Sequence, residues 1–388
     1  MKEKEWAQAR LATIVKKYRV VAERTGTKIP YTTDAKGRFD NHTSIGGEWD
    51  SFDNISWWTN GFYPGILWQL NTIESNQRFI ENAEKIEERL AYCLEQFIGI
   101  HHDVGFMFMP TSVYRYTLTH AEGALKRGLH AANLLAGRFN INGRFIRAWE
   151  NDQVDDKTGW AIIDTMMNVD LLYWASAQTQ DPRFAAIATA HANTTRKTFV
   201  RQDGSVRHIV TFDPETGDYL GSLAGQGYAH GSAWTRGQAW ALYGFTRCYE
   251  RTGDPAFLET AKQVAKYCLA HVDESQALPI DFDQPRTELL IDNSATVIYA
   301  SGLLSLARTL EVTEPSFASK LNAQALVLLH LIDDQYADYT TQRDNLVSGA
   351  SSRYYEKQHA YPIIYADFYY IEALMKICEC ELSRAVWA

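Results

Sequence analysis

The stretch TGDPAFLETAKQVAKYCLAHV, residues 252–272, follows a plan that recurs along the chain. A polar turn with Asp-Pro leads to an aromatic residue and then to an amphipathic helical pattern. Related segments are TQDPRFAAIATAHANTTRKTFV at 179–200 and TEPSFASKLNAQALVLLHLI at 313–332, with a looser version at 75–94. Proline suits the first turn of a helix and an acidic residue suits the position before it, so the plan predicts repeated helix starts.

The sequence predicts two kinds of helix, which alternate along the chain. Charged amphipathic helices are predicted near 4–24, 76–98, 119–138, 182–200, 255–271 and 315–334. Segments richer in aromatic and small residues follow them, near 58–72, 105–117, 160–177, 233–251, 292–311 and 363–381. A helix that is apolar nearly all round is buried, whereas one with a charged face lies outside. Because helical hairpins of this kind bury their faces on one another, we predict an all-α (α/α)6 toroid, a single domain over residues 1–388.

Composition and charge narrow the class of protein. The chain has 388 residues and a formal net charge of −9, which disfavours a nucleic-acid partner. Residues 1–26 lack the apolar segment of a signal peptide, and no later stretch is long and apolar enough to span a membrane. The five cysteines are scattered, so they indicate neither a disulfide framework nor a thiolate metal site. We expect a cytoplasmic protein without a membrane partner, as a monomer or homodimer.

Aromatic residues are unusually frequent, at 13 % of the chain. They cluster in WWTNGFYPGILW (57–68), WTRGQAWALYGF (234–245) and YADFYY (365–370). Core packing accounts for most of them. Clusters in polar neighbourhoods also suit a wide cleft whose aromatic faces pack against sugars.

Two aspartates stand in apolar surroundings. Asp103 precedes the run VGFMFM, and Asp164 lies in GWAIIDTMMNVDLLYW. Desolvation disfavours the charged form of such a carboxyl and raises its pKa toward the range useful for proton transfer. For Asp103 an equally good interpretation is a cap on a helix starting near Val104. That interpretation is less natural for Asp164, because its helix is expected to begin about a turn earlier.

A metal site is the rival interpretation of His101, His102 and Asp103. Side chains of adjacent residues rarely converge on one ion, and the sequence has no HExxH motif and no second Cys/His cluster. It also lacks a GxSxG nucleophile motif and a phosphate-binding loop. We therefore expect neither a metal nor another cofactor.

Six segments taken together resemble the unsaturated glucuronyl hydrolases of glycoside hydrolase family 88. They are WWTNGFYPGILW, HHDVGFMF, IIDTMMNVDLLYWA, GSAWTRGQAWALYGF, DNSATVIYASGLL and ADFYYIEALM, in the family's order over nearly the whole chain. The resemblance implies the (α/α)6 toroid that the repeats predict. Unsaturated rhamnogalacturonyl hydrolases share the toroid and the two aspartates, so they are the nearest alternative.

The resemblance also implies an unusual reaction without metal or organic cofactor. Lyases leave a 4,5 double bond on the terminal uronate of their oligosaccharide products. Family 88 enzymes hydrate that vinyl ether: an acid protonates C4, water adds to C5, and the resulting hemiketal opens with loss of the aglycone. One carboxyl can act as acid and then as base.

Residue roles follow from the motifs that match. The family's general acid/base matches Asp164, and its second carboxylate matches Asp103. The resemblance implies a substrate-binding set of Trp58, His102, Trp149, His208, Gln226, Arg236 and Trp240. The chain departs from some members at Gly225, where they have His, and in a C-terminal loop that lacks their Tyr-His pair.

The substrate is expected to be an unsaturated disaccharide or oligosaccharide from glycosaminoglycans such as chondroitin and hyaluronan, including sulfated ones. Ser351 and Arg353 lie in the departing loop, where we expect them to bind a sulfate unless the loop is merely solvated. The alternatives are a rhamnogalacturonyl hydrolase acting on pectin fragments and a non-catalytic sugar-binding toroid. An ordinary inverting glycosidase would need a glutamic acid in the cleft, where the helix starts offer aspartate.

Overall fold

The computed structural model describes residues 2–44, 54–287 and 289–386. The outer helices are α1 (Lys2–Thr25), α3 (Gln77–Gln96), α6 (Glu122–Ala136), α9 (Pro182–Thr198), α11 (Pro255–His271) and α13 (Pro315–Gln335). The inner helices are α2 (Phe62–Ile73), α4 (Val104–Phe108), α5 (Tyr114–Thr119), α7 (Thr165–Asn168), α8 (Asp170–Thr179), α10 (Thr235–Thr252), α12 (Asn293–Leu310) and α14 (Ile364–Ile377). A π-helical turn (Met109–Val113) joins α4 to α5, and the short elements are 3-10 turns His42–Ser44 and Trp58–Gly61 and helix α15 (Leu382–Ala385).

The inner helices form a closed ring. Helix α2 packs on α14, α14 on α12, α12 on α10, α10 on α7, α7 on α4, and α4 on the turn that precedes α2. The chain is therefore an (α/α)6 toroid, as the repeats predict. Hydrophobic side chains from Ala7 to Leu382 belong to one buried cluster, which fills the space between the two rings of helices.

The repeated turns start the outer helices as predicted in two cases. The side chain of Asp181 accepts from the backbone N–H of Arg183, and that of Asp254 accepts from Ala256, with proline at the first helical position of each. Glu314 makes no such capping bond before α13, although a proline follows it. The longer glutamate side chain is a poorer cap than aspartate.

The third inner segment differs from the continuous helix expected over 160–177. It begins as strand β3 (Trp160–Ile162), and α7 and α8 follow only after Asp164. Strand β3 pairs in antiparallel fashion with β4 (Ile209–Phe212), which pairs with β5 (Tyr219–Leu223). Strands β1 (Phe139–Asn140) and β2 (Phe145–Ile146) form a separate pair. The loop between α9 and α10 (residues 201–231) has a short β-like run in its sequence, and it does form strands β4 and β5. This sheet lies at the start of an inner helix.

Among the helices of the described ranges, none combines the length and the apolar character needed to cross a membrane.

Candidate active site

Two paired strands bring Asp164 and His208 together. Asp164 follows the end of β3, and His208 precedes β4, with Ile162 opposite Ile209 in the register. The backbone N–H of Ile163 donates to the carbonyl of His208 at 3.1 Å, which fixes the two strand ends. Nε2 of His208 consequently lies 3.6 Å from Oδ2 of Asp164.

The Asp164 carboxyl lies in a buried environment that disfavours its charged form. The residue precedes α7, but its side chain makes no capping hydrogen bond. It is 8 % exposed, and Oδ2 has no hydrogen-bond partner in the described part of the chain. Burial, followed by the charge of Asp103, raises the pKa of Asp164 to about 7, because both disfavour a further negative charge. Such a carboxyl can donate a proton near neutral pH and then take one back.

The imidazole of His208 has a defined tautomer. Nδ1 accepts a hydrogen bond from the backbone N–H of Gln226 at 2.9 Å. Burial, followed by the charge of Arg236, lowers the pKa of His208 to about 3, so the ring is neutral near pH 7. The single ring proton is then on Nε2, the nitrogen nearest to Asp164. The ring of Trp234, with its centroid 4.2 Å away, packs against the imidazole and holds its position.

Asp103 has a different environment. Nε2 of His102 and Nδ1 of His101 lie 3.2 Å and 3.3 Å from its Oδ2, and Nδ1 of His102 pairs with the hydroxyl of Thr165 at 2.9 Å. Burial raises the pKa of Asp103, but His102, His101 and the amide of Asn168 outweigh burial and hold the pKa below its usual value. Helix α4 does begin at Val104, yet the side chain of Asp103 makes no capping bond. Its carboxylate is therefore held by His101, His102 and Asn168 and does not cap the helix.

Asn168 joins the elements that carry the two carboxyls. Its Nδ2 donates to Oδ1 of Asp103 at 3.3 Å and to the carbonyl of Asp164 at 3.2 Å. Its Oδ1 accepts from the backbone N–H of Phe106 at 2.8 Å. Helices α4 and α7 approach so closely that a Cβ at Gly105 would lie 2.6 Å from Cα of Asn168. The sequence prediction missed Asn168, whose only signal is an amide four residues after an aspartate in an apolar segment.

The ligand atoms of His101, His102 and Asp103 lie within 4.8 Å of one another, a spacing that suits a small divalent ion. The expectation that the site needs no metal remains a prediction.

Aromatic rings surround these carboxyls. Trp149 is half-buried, with its ring 5.8 Å from that of His102, edge to face. Trp58 is also half-buried and packs on Tyr365, with centroids 4.9 Å apart. Both present part of a ring to solvent, as a sugar-binding wall requires. Trp240 is 0 % exposed, so it supports this wall from within the core instead of forming it.

Arg236 was expected to bind a substrate carboxylate or sulfate, but its guanidinium is already engaged. It is buried and paired with Asp292, and it donates to the carbonyls of Ser351 at 2.8 Å and Ser352 at 2.6 Å. The ring of Trp234 lies beneath it, 4.6 Å from the guanidinium carbon. Arg236 therefore positions the C-terminal loop beside the site. The sequence could not show this, because Asp292 is 56 residues away.

The two residues of the C-terminal loop that were expected to bind a sulfate, Ser351 and Arg353, have different environments. Ser351 is 0 % exposed; its hydroxyl donates to the carbonyl of Ile291 at 2.8 Å and accepts from the N–H of Ala360 at 3.1 Å. Ser351 thus holds the loop together, because its hydroxyl both donates and accepts a hydrogen bond within the protein. The side chain of Arg353 is exposed. Gln226 is half-buried between the loops, and its Nε2 donates to the carbonyl of Ser352 at 2.7 Å.

A toroid of helical hairpins with two carboxyls of different protonation at its mouth defines a class, the α/α-toroid glycoside hydrolases. A family model described as Glycosyl Hydrolase Family 88 matches residues 31–309. The chain belongs to this family and is a glycoside hydrolase.

Relatives and solved structures agree with that assignment. The chain is 33 % identical to an unsaturated glucuronyl hydrolase from Bacillus sp. (strain GL1), over 92 % of each chain. It is 31 % identical to an unsaturated chondroitin disaccharide hydrolase from Streptococcus agalactiae, covering 84 % of this chain and 82 % of that one. A crystal structure of the unsaturated glucuronyl hydrolase from Bacillus sp. GL1, described as responsible for the degradation of glycosaminoglycan, superimposes with a TM-score of 0.84, at 30 % identity over 96 % of each chain.

Proposed function

We propose that this enzyme hydrolyses unsaturated uronyl oligosaccharides that lyases release from glycosaminoglycans such as chondroitin and hyaluronan, with Asp164 as general acid/base. The observation that carries the proposal is a pair of buried carboxyls with different partners: Oδ2 of Asp164 has no hydrogen-bond partner among the described residues, whereas Oδ2 of Asp103 lies within 3.3 Å of two imidazole nitrogens. This arrangement agrees with a pKa of Asp164 raised to about 7 beside an ionised Asp103. The names of the two relatives, an unsaturated glucuronyl hydrolase and an unsaturated chondroitin disaccharide hydrolase, support the substrate class.

The chemistry needs a protonated acid first and a base second. Protonated Asp164 delivers its proton to C4 of the double bond, and positive charge develops at C5 and the ring oxygen. The negative charge of Asp103 stabilises that state, since a fixed charge in a buried site acts with little screening. Ionised Asp164 then takes a proton from the water that attacks C5, and the hemiketal opens to release the aglycone. The Nε2 proton of His208 is positioned to stabilise Asp164 while it is ionised.

Substrate binding is assigned to the partly exposed groups around the carboxyls. Trp58 and Trp149 offer aromatic faces, and Gln226 lies where the leaving sugar would pass. Sulfated substrates are proposed to meet the exposed guanidinium of Arg353, which can pair with a sulfate in two-point fashion. Arg236, Trp240, Ser351 and His102 contribute by positioning these groups.

We further propose that residues 1–388 form a single domain acting in the cytoplasm as a monomer or homodimer. The continuous buried cluster across both rings of helices supports the first part. The scatter of the five cysteines supports the second.

Turnover of two unsaturated disaccharides tests the substrate class. Loss of the ultraviolet absorbance of the conjugated uronate is followed with an unsaturated chondroitin disaccharide and with an unsaturated rhamnogalacturonan disaccharide. We expect kcat/KM to be at least tenfold higher for the chondroitin product. A saturated chondroitin disaccharide, assayed for new reducing ends, is the control and should not react. The reverse order of the two rates would assign the enzyme to pectin fragments instead.

A further inference from the structure

We propose that a groove beside the active site is a second subsite, which binds the uronate following the disaccharide unit in longer substrates. The groove lies between Tyr228 and residues 354–359, with Leu290 also in its lining. Its volume of about 570 Å³ lies within the ~300–1,000 Å³ typical of small-molecule sites. This subsite rests on the proposed function, because its ligand is part of the same substrate.

The groove adjoins the catalytic site through Gln226. The backbone N–H of Gln226 donates to His208, 2.9 Å away, and its carbonyl accepts from the N–H of Tyr354 at 2.9 Å. One residue thus contacts the ring beside Asp164 on one side and the lining of the groove on the other. A sugar chain that leaves Asp164 across Gln226 reaches the groove next.

Aromatic rings form the wall of the groove. The rings of Tyr228 and Tyr354 have centroids 4.9 Å apart, and those of Tyr354 and Tyr355 are also 4.9 Å apart. Tyr355 is 71 % exposed, so its ring is accessible to a ligand. The C–H faces of a sugar pack well on such rings, and the phenolic hydroxyls hydrogen-bond its rim.

The groove also has a cation. Lys357 is exposed and belongs to the lining. The neighbouring carboxylate of Glu356 accepts from the backbone N–H of Ser352 at 2.8 Å and from its hydroxyl at 2.6 Å. Glu356 is therefore committed to the loop, and the ammonium of Lys357 remains available for an anion from the substrate.

Uronate and hexosamine alternate along glycosaminoglycan chains, so the position of a charge is defined by chain length. With the unsaturated uronate at Asp164, the second sugar is the hexosamine and the third is again a uronate. A disaccharide ends before the groove, whereas a tetrasaccharide puts a carboxylate there. The aromatic wall and Lys357 match that third sugar in shape and in charge.

The test compares kcat/KM for an unsaturated chondroitin tetrasaccharide with that for the disaccharide, as a ratio within each variant. We expect Lys357→Ala and Tyr355→Ala each to lower the ratio about fivefold to tenfold, mainly through KM for the tetrasaccharide, and Lys357→Arg to keep it. Raising the salt concentration should lower the wild-type ratio but not that of Lys357→Ala. Lys320→Ala, the same change on an exposed position of the outer helix α13, is the control and should keep the wild-type ratio.

The experiment distinguishes failure of the proposed function from failure of the second subsite. A wild-type enzyme that consumes neither substrate overturns the proposed function and this subsite with it. An enzyme that consumes the disaccharide, but whose ratio is the same in Lys357→Ala, Tyr355→Ala and wild type, overturns the subsite alone.

Discussion

Oδ2 of Asp103 has two imidazole nitrogens within 3.3 Å, whereas Oδ2 of Asp164 has no hydrogen-bond partner among the described residues and lies 3.6 Å from Nε2 of His208. This difference in partners separates the pKa values of the two carboxyls, although both belong to the same site. The charge of Asp103 is the second cause of the raised pKa of Asp164, after burial. The acid thus depends on the fixed negative charge beside it.

Replacing Asp103 by asparagine should move the pH profile. The change removes a charge that raises the pKa of Asp164, so Asp164 loses its proton at a lower pH. We expect the alkaline limb of kcat/KM, near pH 7 in wild type, to shift to lower pH, and the rate at pH 7 to fall at least tenfold. The exposed Asp155→Asn is the matched control. A limb that stays in place would separate Asp103 from the titration of Asp164.

The raised pKa of Asp164 also has a cost in stability. Because this pKa lies above the usual 3.8, the folded protein binds more protons than the unfolded chain between about pH 4 and pH 7, and stability falls as pH rises through that window. We expect Asp164→Asn to be more stable than wild type at pH 8, by on the order of 2 kcal/mol, with the gain shrinking toward pH 4. Denaturant unfolding at both pH values measures this. An equal gain at both would show that the charge of Asp164 is not the cause.

At the scale of elements, the helix patterns and the β-like run before α10 were readable from the sequence, whereas strand β3 was not. Outer helices have a charged face, and α9 and α11 also have Asp-Pro starts, which fix their positions in the sequence. The run from Trp160 to Ile162 is apolar, and such a short run suits a buried helix or a strand equally well. Its partner, β4, lies almost fifty residues along the chain, so only the folded chain decides between the two. The same limit hid the meeting of Asp164 with His208.

Gly225 shows how the loop after β5 holds the site. Its φ is +66°, and a Cβ there would lie 1.9 Å from Nδ1 of His208. We expect Gly225→Ala to displace the imidazole and lower kcat/KM at least tenfold. Gly231→Ala is a matched control, since φ is +87° there but nothing lies within 4 Å of its Cβ position. Gly231→Ala therefore has the backbone strain of a positive φ but no steric clash with a neighbouring side chain. Equal activity of the two variants would show that His208 does not depend on Gly225.

At the scale of the molecule, closure of the toroid brings distant segments to one mouth. Hairpin repeats predicted the closed ring, and the family resemblance pointed to both aspartates. The partners of Arg236 and Ser351 were not predictable, because each comes from another loop, Asp292 for the first and Ile291 for the second. Polar side chains near a site look alike in sequence whether they bind substrate or hold the loops that do.

The proposed reaction depends most on protonation of the double bond by Asp164. The direct measurement is the rate of ultraviolet absorbance loss when an unsaturated chondroitin disaccharide meets wild type and Asp164→Asn, across pH 5 to 9. We expect wild type to consume the double bond with a rate that falls above about pH 7, and Asp164→Asn to be slower by about 10²–10⁴-fold. An unchanged rate in Asp164→Asn, or no loss of absorbance with wild type, would contradict it.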